Sequence, residues 1–439
     1  MDTDSVFASL PLASDLPTSG SVLFIHTNYP AQFRFLVKEY LARGWSVAFA
    51  SHTCKHPPLK AMRHIPLQQG PKTLQASKLD KIEANSLQAF ADLLKAKRQG
   101  LKPDLIYCHS GWGLGSFLKD LFPRARLIAY SEWWFDFHAE DFRFDPGHSE
   151  IRHDLQSRLR MLLRNQGFAL ELIQADAIVA PTEWQRSQLQ AKLRQNCQVI
   201  FDGIDSRMFR PESPTIAAGS PLAMLPPEAP LLTYATRGLE PYRGFPEFAE
   251  AALRLLQERG CWHVAIAGKD QPSYFRSGPK GGYGAMAMAR FEEAGVADRV
   301  HLLGRLPLGT YTQLLQRSDL HCYFTRPYVL SWSLLEAALC GCRLFSSDVA
   351  PVREFLSGDR GSQLVDHTGA ELPAELIQES DAALTEADSQ NQGDSSILKQ
   401  DERVNLAKRR LTGRGEILKR VERRRCVTRH LALAAALLA

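Results

Sequence analysis

Along this chain, short runs rich in Val, Ile, Leu and Phe alternate with longer segments whose apolar residues recur every three or four positions. Continuous apolar runs suit strands buried on both faces, and the helical period suits the segments that would cover them. The pattern therefore predicts parallel sheets wrapped by helices. In the first half the strand candidates are Ser21–His26, Ser46–Ser51, Leu105–His109, Leu127–Tyr130, Ala177–Ala180 and Gln198–Phe201. Phe33–Arg43 and Leu87–Lys97 read as helices between them, and Asp154–Gln174 as one longer helix.

After the proline-rich, weakly periodic stretches Pro211–Pro214 and Pro221–Pro230, the same pattern starts again. Strands are expected at Leu231–Ala235, His263–Ala267, Val300–Leu303, Leu320–Phe324 and Arg343–Ser346, with helices at Pro246–Arg259, Tyr311–Arg317 and Ser333–Cys340. The expected fold class is α/β, two open doubly wound domains rather than one barrel. The boundaries read as a first domain over 1–210, a linker over 211–230, a second domain over 231–378, and a polar connection with a basic helical tail over 379–439. Length agrees, because 439 residues exceed the roughly 250–300 that a single core supports.

Composition narrows the class without naming the chemistry. A hydrophobic share of 44% and a charged share of 23% are those of a water-soluble globular chain. The first twenty residues carry Asp2, Asp4 and Asp15, no Lys or Arg, and no apolar run long enough for export. No segment reaches the ~18 apolar residues of a spanning helix, so a cytoplasmic protein is expected. Eight scattered cysteines form no C-x-x-C pair and read as reduced. The net charge of +5 is uneven: Lys399 to Arg429 holds twelve Lys/Arg against four Asp/Glu, a local +8 that leaves the rest at −3. That tail reads as a closing helix with one apolar and one solvated face. Its alternative is peripheral contact with an anionic membrane through 399–429.

Two doubly wound domains present strand ends and helix N-termini that suit phosphate, which makes a nucleotide the natural ligand class. Four segments sharpen this: Asp202-Gly-Ile-Asp-Ser-Arg-Met-Phe-Arg-Pro211, Thr236-Arg-Gly-Leu-Glu-Pro-Tyr-Arg-Gly244, Val300-His-Leu-Leu-Gly-Arg305, and Pro327-Tyr-Val-Leu-Ser-Trp-Ser-Leu-Leu-Glu-Ala-Ala-Leu-Cys-Gly341. In order and spacing they resemble the family 4 glycosyltransferases of the GT-B fold, over roughly residues 20 to 365. The resemblance implies two facing Rossmann-like domains with a C-terminal helical tail, the first on the acceptor side and the second holding a nucleotide sugar. It implies retaining transfer to a glycan, a lipid-linked acceptor or a small molecule, in work such as polysaccharide biosynthesis. No cofactor, no metal and no nucleic-acid partner are expected, the nucleotide sugar being a substrate.

Residue chemistry agrees with that reading. A departing nucleotide diphosphate gains negative charge, and without a metal the compensation must come from guanidinium groups and N–H dipoles. Arg237 and Arg243 are the catalytic candidates, against the alternative of two solvated loop arginines. Glu336, after the helix opening at Ser331, would accept from two ribose hydroxyls, and the resemblance sets Gly304 beside the base. The family's earlier Glu is Tyr328 here, and Leu339 replaces an Ala. A phenol supplies no carboxylate, so the backbone around Val329, Leu330 and Ser331 is expected to carry more of the sugar recognition, or the donor is unusual, or activity is reduced. His109, ending a strand, matches a family His that contacts the donor sugar, a buried satisfied histidine being the alternative. Asn28, Tyr29 and Gln32 are the acceptor-side candidates.

Other readings are weaker. Gly111, Gly113 and Gly115 with Glu132 suggest a nicotinamide site, but Ser116 stands where the third close-packing Gly or Ala belongs. His138, Glu140, Asp141 and His148 match no metal-ligand spacing. A sugar-nucleotide epimerase, or a degenerate protein that binds nucleotide sugar without turnover, keeps the fold and changes the outcome.

Overall fold

The computed structural model of the protein describes residues 12–70, 78–144, 154–273, 278–388 and 400–439. The chain divides into two compact units, Met1–Gly203 together with Arg420–Ala439, and Ile204–Lys419.

In the first unit, β1 (Ser21–Ile25), β2 (Ser46–Ser51), β3 (Met62–Pro66), β4 (Leu105–His109), β5 (Arg126–Tyr130), β6 (Ala177–Ala180) and β7 (Cys197–Val199) form one sheet in the order β3-β2-β1-β4-β5-β6-β7. Every pairing is parallel. Val22 to Ile25 are all fully buried, as a strand covered on both faces must be. On one face Phe24 stacks with Phe49 and Tyr107, at 6.1 and 5.2 Å between ring centroids. On the other, Leu23, Ile25, Ile106 and Cys108 join an aliphatic cluster. Helix α1 (Lys78–Arg98) packs beside α2 (Leu155–Arg164) and α3 (Gln166–Ile173). The single helix expected over Asp154–Gln174 is thus a pair, divided at Asn165. Its amide side chain exchanges hydrogen bonds with the backbone of Phe135, at 2.9 and 2.6 Å.

In the second unit, β8 (Leu231–Gly238), β9 (His263–Lys269), β10 (Val300–Gly304), β11 (Leu320–Tyr323), β12 (Leu344–Ser347) and β13 (Ser362–Val365) form a parallel sheet in the order β10-β9-β8-β11-β12-β13. Helix α4 (Phe245–Glu258) lays Phe245, Phe248, Ala252, Leu255 and Leu256 on this sheet, and α5 (Trp332–Leu339) is buried from Leu334 onward. The polar stretch from Ser380, expected as an exposed connection, starts instead as the end of a helix over Leu372–Asp388, with Ser380 and Ala383 buried. Positions 389–396 of that stretch lie outside the described residues.

Each strand order reverses once, between β1 and β4 in the first sheet and between β8 and β11 in the second. At such a reversal the connections leave toward opposite faces, which opens a crevice at the C-terminal ends of the two central strands.

Several basic residues of the tail are internal to the second unit. Arg403 pairs with Asp319 at 2.8 Å and Arg410 with Glu386 at 3.0 Å. Arg414, fully buried, donates to Asp359, Ala338 and Gly361 at 2.9, 3.0 and 3.1 Å. The last helix, α6 (Arg423–Leu438), belongs to the first unit, where Cys426, Leu431, Leu433, Ala434 and Ala435 are buried. There the Tyr107 phenol donates to the His430 carbonyl at 3.3 Å. Among the described residues no helix is long and apolar enough to cross a membrane.

Candidate functional site

The crevice of the second unit holds most of the residues expected to grip a donor. β8 carries a bulge between Ala235 and Gly238, and Arg237 stands exposed on it. The chain then turns through Gly244, at φ +62, into α4. A Cβ there would lie 2.5 Å from the Cβ of Phe324, so only glycine fits both the backbone and the space. This places Arg243 against the loop that follows β11. Its guanidinium donates to the Thr325 hydroxyl at 2.6 Å and to the Tyr323 hydroxyl and Val329 carbonyl at 3.4 Å. Its own carbonyl accepts from the Tyr234 phenol at 2.6 Å. Sequence pairs Arg237 and Arg243 as two diphosphate contacts; in the structure their surroundings differ. One is exposed, and the other is 5% exposed and tied to the loop 325–329.

That loop is shaped further by Arg326, whose amide donates to the Tyr242 carbonyl at 3.2 Å. Tyr328, in place of a carboxylate, sets its ring edge-on to Tyr242 at 5.3 Å. Leu330 is buried, and the Ser331 amide donates to the Tyr323 phenol at 3.0 Å. Ser331 is the N-cap of α5, accepting from the Ser333 amide at 3.3 Å. Glu336 lies in the second turn of α5, 7% exposed. Beside it is Tyr311, whose phenol is raised well above its usual value by burial and, secondarily, by this carboxylate. Gly304 ends β10 at φ +61.

In the first unit the crevice gathers aromatic and imidazole rings. His109, the last residue of β4, is 1% exposed, not open. Its ring stacks near Trp112 and Tyr130, at 4.6 and 4.9 Å, and meets His26 edge-on at 4.6 Å. Burial holds His109 well below the usual imidazole range, with His26 adding to the effect, and burial lowers His26 to about 4. Both are neutral at pH 7. The His109 Nδ1–H then donates to the Ser110 carbonyl at 3.0 Å and leaves Nε2 as an acceptor, 3.9 Å from Glu132. His26 is the reverse tautomer, since its Nδ1 accepts from the Asn28 amide at 2.8 Å. Gln32 donates to Glu132 at 3.4 Å. Asn28 is exposed and accepts from the Thr53 hydroxyl at 2.5 Å, whereas Tyr29 turns inward onto Phe49 at 5.0 Å.

The glycine turn after His109 is already occupied. Glu171 of α3, buried, accepts from the amides of Gly111 and Gly115 at 2.8 and 2.7 Å. Those N–H groups are therefore turned to a carboxylate of the same unit, which disposes of the nicotinamide reading on physical grounds. His138 accepts from Arg143 at 2.7 Å, and His148 lies outside the described residues. Sequence reasoning passed over His26, Trp112 and Glu171, and weighed Glu132 only for a nicotinamide site. The signal for His26 was present, a histidine closing the first strand as His109 closes the fourth; Glu171 carried none, being one carboxylate in an amphipathic helix.

Residues 43–209 match the family model described as Glycosyl transferase family 4 group. Among proteins of curated function, none matches the sequence. Solved structures do. Sucrose-phosphate synthase from Thermosynechococcus elongatus is 17% identical with a TM-score of 0.64, over 94% of this chain and 96% of that one. A glycosyltransferase from Rickettsia africae is 10% identical with a TM-score of 0.64, over 96% and 99%. HepE of Anabaena, solved with UDP-glucose, is 14% identical with a TM-score of 0.60, over 94% and 98%. At such identities the likeness shows the fold, which is GT-B. The resemblance to family 4 is borne out, on a segment that overlaps only the first of the four motifs.

Proposed function

We propose that this chain, whose residues 43–209 match the model of the Glycosyl transferase family 4 group, moves a sugar from a nucleotide diphosphate donor to an acceptor hydroxyl. The observation that carries the reading is positional: apart from Gly304, which ends the edge strand β10, the expected residues of each sheet lie in the segments that end or follow the two strands at the reversal of strand order, the point where this fold class binds ligands. In the second unit, Arg237 meets the charge that grows on the leaving diphosphate, a role a fixed cation fills without a metal. Arg243 acts through the loop it holds, keeping Val329 to Ser331 in place for the sugar. Glu336 accepts from the ribose hydroxyls, and Tyr328 gives the donor sugar a neutral hydroxyl where a carboxylate is absent. In the first unit, the Nε2 lone pair of His109 accepts from a sugar hydroxyl, with Glu132, Gln32 and Asn28 on the acceptor side.

Retention at the anomeric carbon follows from the family resemblance. The acceptor is a glycan, such as a growing polysaccharide, a lipid-linked molecule or a small molecule, handled at a cytoplasmic location. Docking through the tail would rest on exposed Lys408, Arg409, Arg424 and Arg425, since Arg403, Arg410 and Arg414 are engaged within the protein.

The test is a thermal-shift screen with UDP, GDP and ADP sugars, followed by nucleotide release with and without acceptors. One donor series should raise the unfolding temperature, as a ligand at 100 times its Kd adds about 2.7 kcal/mol. Diphosphate should appear only with an acceptor present. Release without acceptor would indicate epimerase chemistry, and binding without turnover on any donor would indicate a degenerate binding protein.

A further inference from the structure

Tyr323, the last residue of β11, is buried and has no role in the proposed transfer, yet it fastens the far end of the loop 325–331. Its phenol oxygen accepts from the Ser331 amide at 3.0 Å and from the Arg243 guanidinium at 3.4 Å. Two donors are as many as the lone pairs of a phenol oxygen can serve. Ser331 is both the end of the loop and the N-cap of α5, so the bond to its amide fixes where the loop meets the helix.

The near end of the loop is tied down separately. The Thr325 amide donates to the Ser347 hydroxyl, at the end of β12, at 2.9 Å. The Thr325 hydroxyl accepts from Arg243 at 2.6 Å and donates to the Arg326 carbonyl at 3.0 Å. Arg243 is in turn held at both of its ends, since Tyr234 donates to its carbonyl at 2.6 Å while Tyr323 receives its guanidinium. Tyr234 lies opposite Cys322 in the β8–β11 register, so Tyr323, one residue on, projects from the other face of the sheet.

This arrangement changes what the loop can offer a ligand. Of the backbone groups expected to recognise the sugar, the Ser331 amide is turned to Tyr323 and the Val329 carbonyl to Arg243. The Val329 amide has no hydrogen-bond partner among the described residues. Glu336 stands further along α5, which is buried from Leu334 onward and keeps its place without the phenol.

We propose that Tyr323 is a positioning residue of the donor site: by joining Ser331 to Arg243 it sets the loop 325–331 in the form that takes the donor sugar, and it leaves the grip on the nucleotide to other residues. The inference rests on the proposed sugar transfer, because the sugar is what this loop is assigned to hold. Tyr323 acts through its neighbours and does not itself touch the substrate.

The experiment is calorimetric titration of wild type and Tyr323→Phe, which keeps the ring and removes only the hydroxyl. The ligands are UDP, GDP, ADP and the nucleotide sugar that most stabilises the wild type. In the variant the affinity for the nucleotide sugar, relative to its bare diphosphate, should fall about tenfold, with the diphosphate bound as in the wild type. The donor KM should rise by the same factor while the acceptor KM stays level. An unchanged ratio, or an equal loss for sugar and diphosphate as a merely structural role would give, overturns the assignment of Tyr323 and leaves the transfer reading standing. A wild type stabilised by no nucleotide sugar overturns that reading, and this inference with it. Should the variant fail to fold, amide exchange of the wild type decides: Ser331 should exchange at least tenfold more slowly than Val329, and equal rates overturn the proposal.

Discussion

Two arginines six positions apart sit in different surroundings, and the roles proposed for them differ measurably. Arg237 is exposed, so Arg237→Ala should lower turnover about 100-fold and leave the unfolding midpoint in place. Arg243 is buried with hydrogen bonds to Tyr323, Thr325 and Val329. Arg243→Ala should lower turnover and also cost about 1–3 kcal/mol of stability, read by urea unfolding. Unchanged stability in Arg243→Ala would remove its assignment to the loop. A second residue-scale prediction concerns pH. Burial lowers His26 to about 4 and His321 and His430 to about 3, from an ordinary 6.5. Their stability contribution is full above 6.5 and is lost as pH falls toward those values. Glu171 opposes them: burial raises it from 4.5 to about 7, so its contribution is full below 4.5 and is lost as pH rises to 7. Unfolding midpoints should therefore drop between pH 6.5 and 4.5, and drop more steeply in Glu171→Gln. An equal or shallower slope in that variant would contradict the assignment.

At the scale of elements, the loop after β8 depends on a left-handed residue in a space too small for a side chain. Gly244→Ala forces a Cβ into Phe324 and should cost roughly 1–3 kcal/mol, with a loss of turnover exceeding what the stability change predicts. Normal activity from a fully folded Gly244→Ala would show that this turn has no part in the site. Central strands such as β1 and β4 were legible because nearly every residue is apolar. The edge strands β3 and β13 were not, since Arg63 and Gln363 interrupt runs that only one neighbouring strand supports. The division at Asn165 was also hidden, because its cause is a hydrogen bond to Phe135, 30 residues away.

Taken whole, the chain passes out of its first unit at Gly203 and returns at Arg420. Removal of Arg420–Ala439 strips buried Leu431, Leu433 and Ala434 from the first unit while leaving the second unit's core residues in place. Amide exchange should rise in β1 and β4 of the truncated protein and stay level in β8 and β11; a uniform rise across both sheets would contradict this division. The periodicity of α6 foretold an apolar face, but not which unit it would cover.

Sequence by itself determined the α/β class, the repeat of one architecture in two halves, and the positions of Arg237, Glu336 and His109 near strand ends or helix starts. Those properties are local: they follow from apolar period, from turn residues and from motif spacing. Tertiary structure decided which of those residues face solvent, that Arg243 holds a loop, and that Glu171 occupies the glycine turn. Each of these depends on partners brought together from distant parts of the chain, and burial and hydrogen bonding between such partners leave no periodic trace in the order of residues.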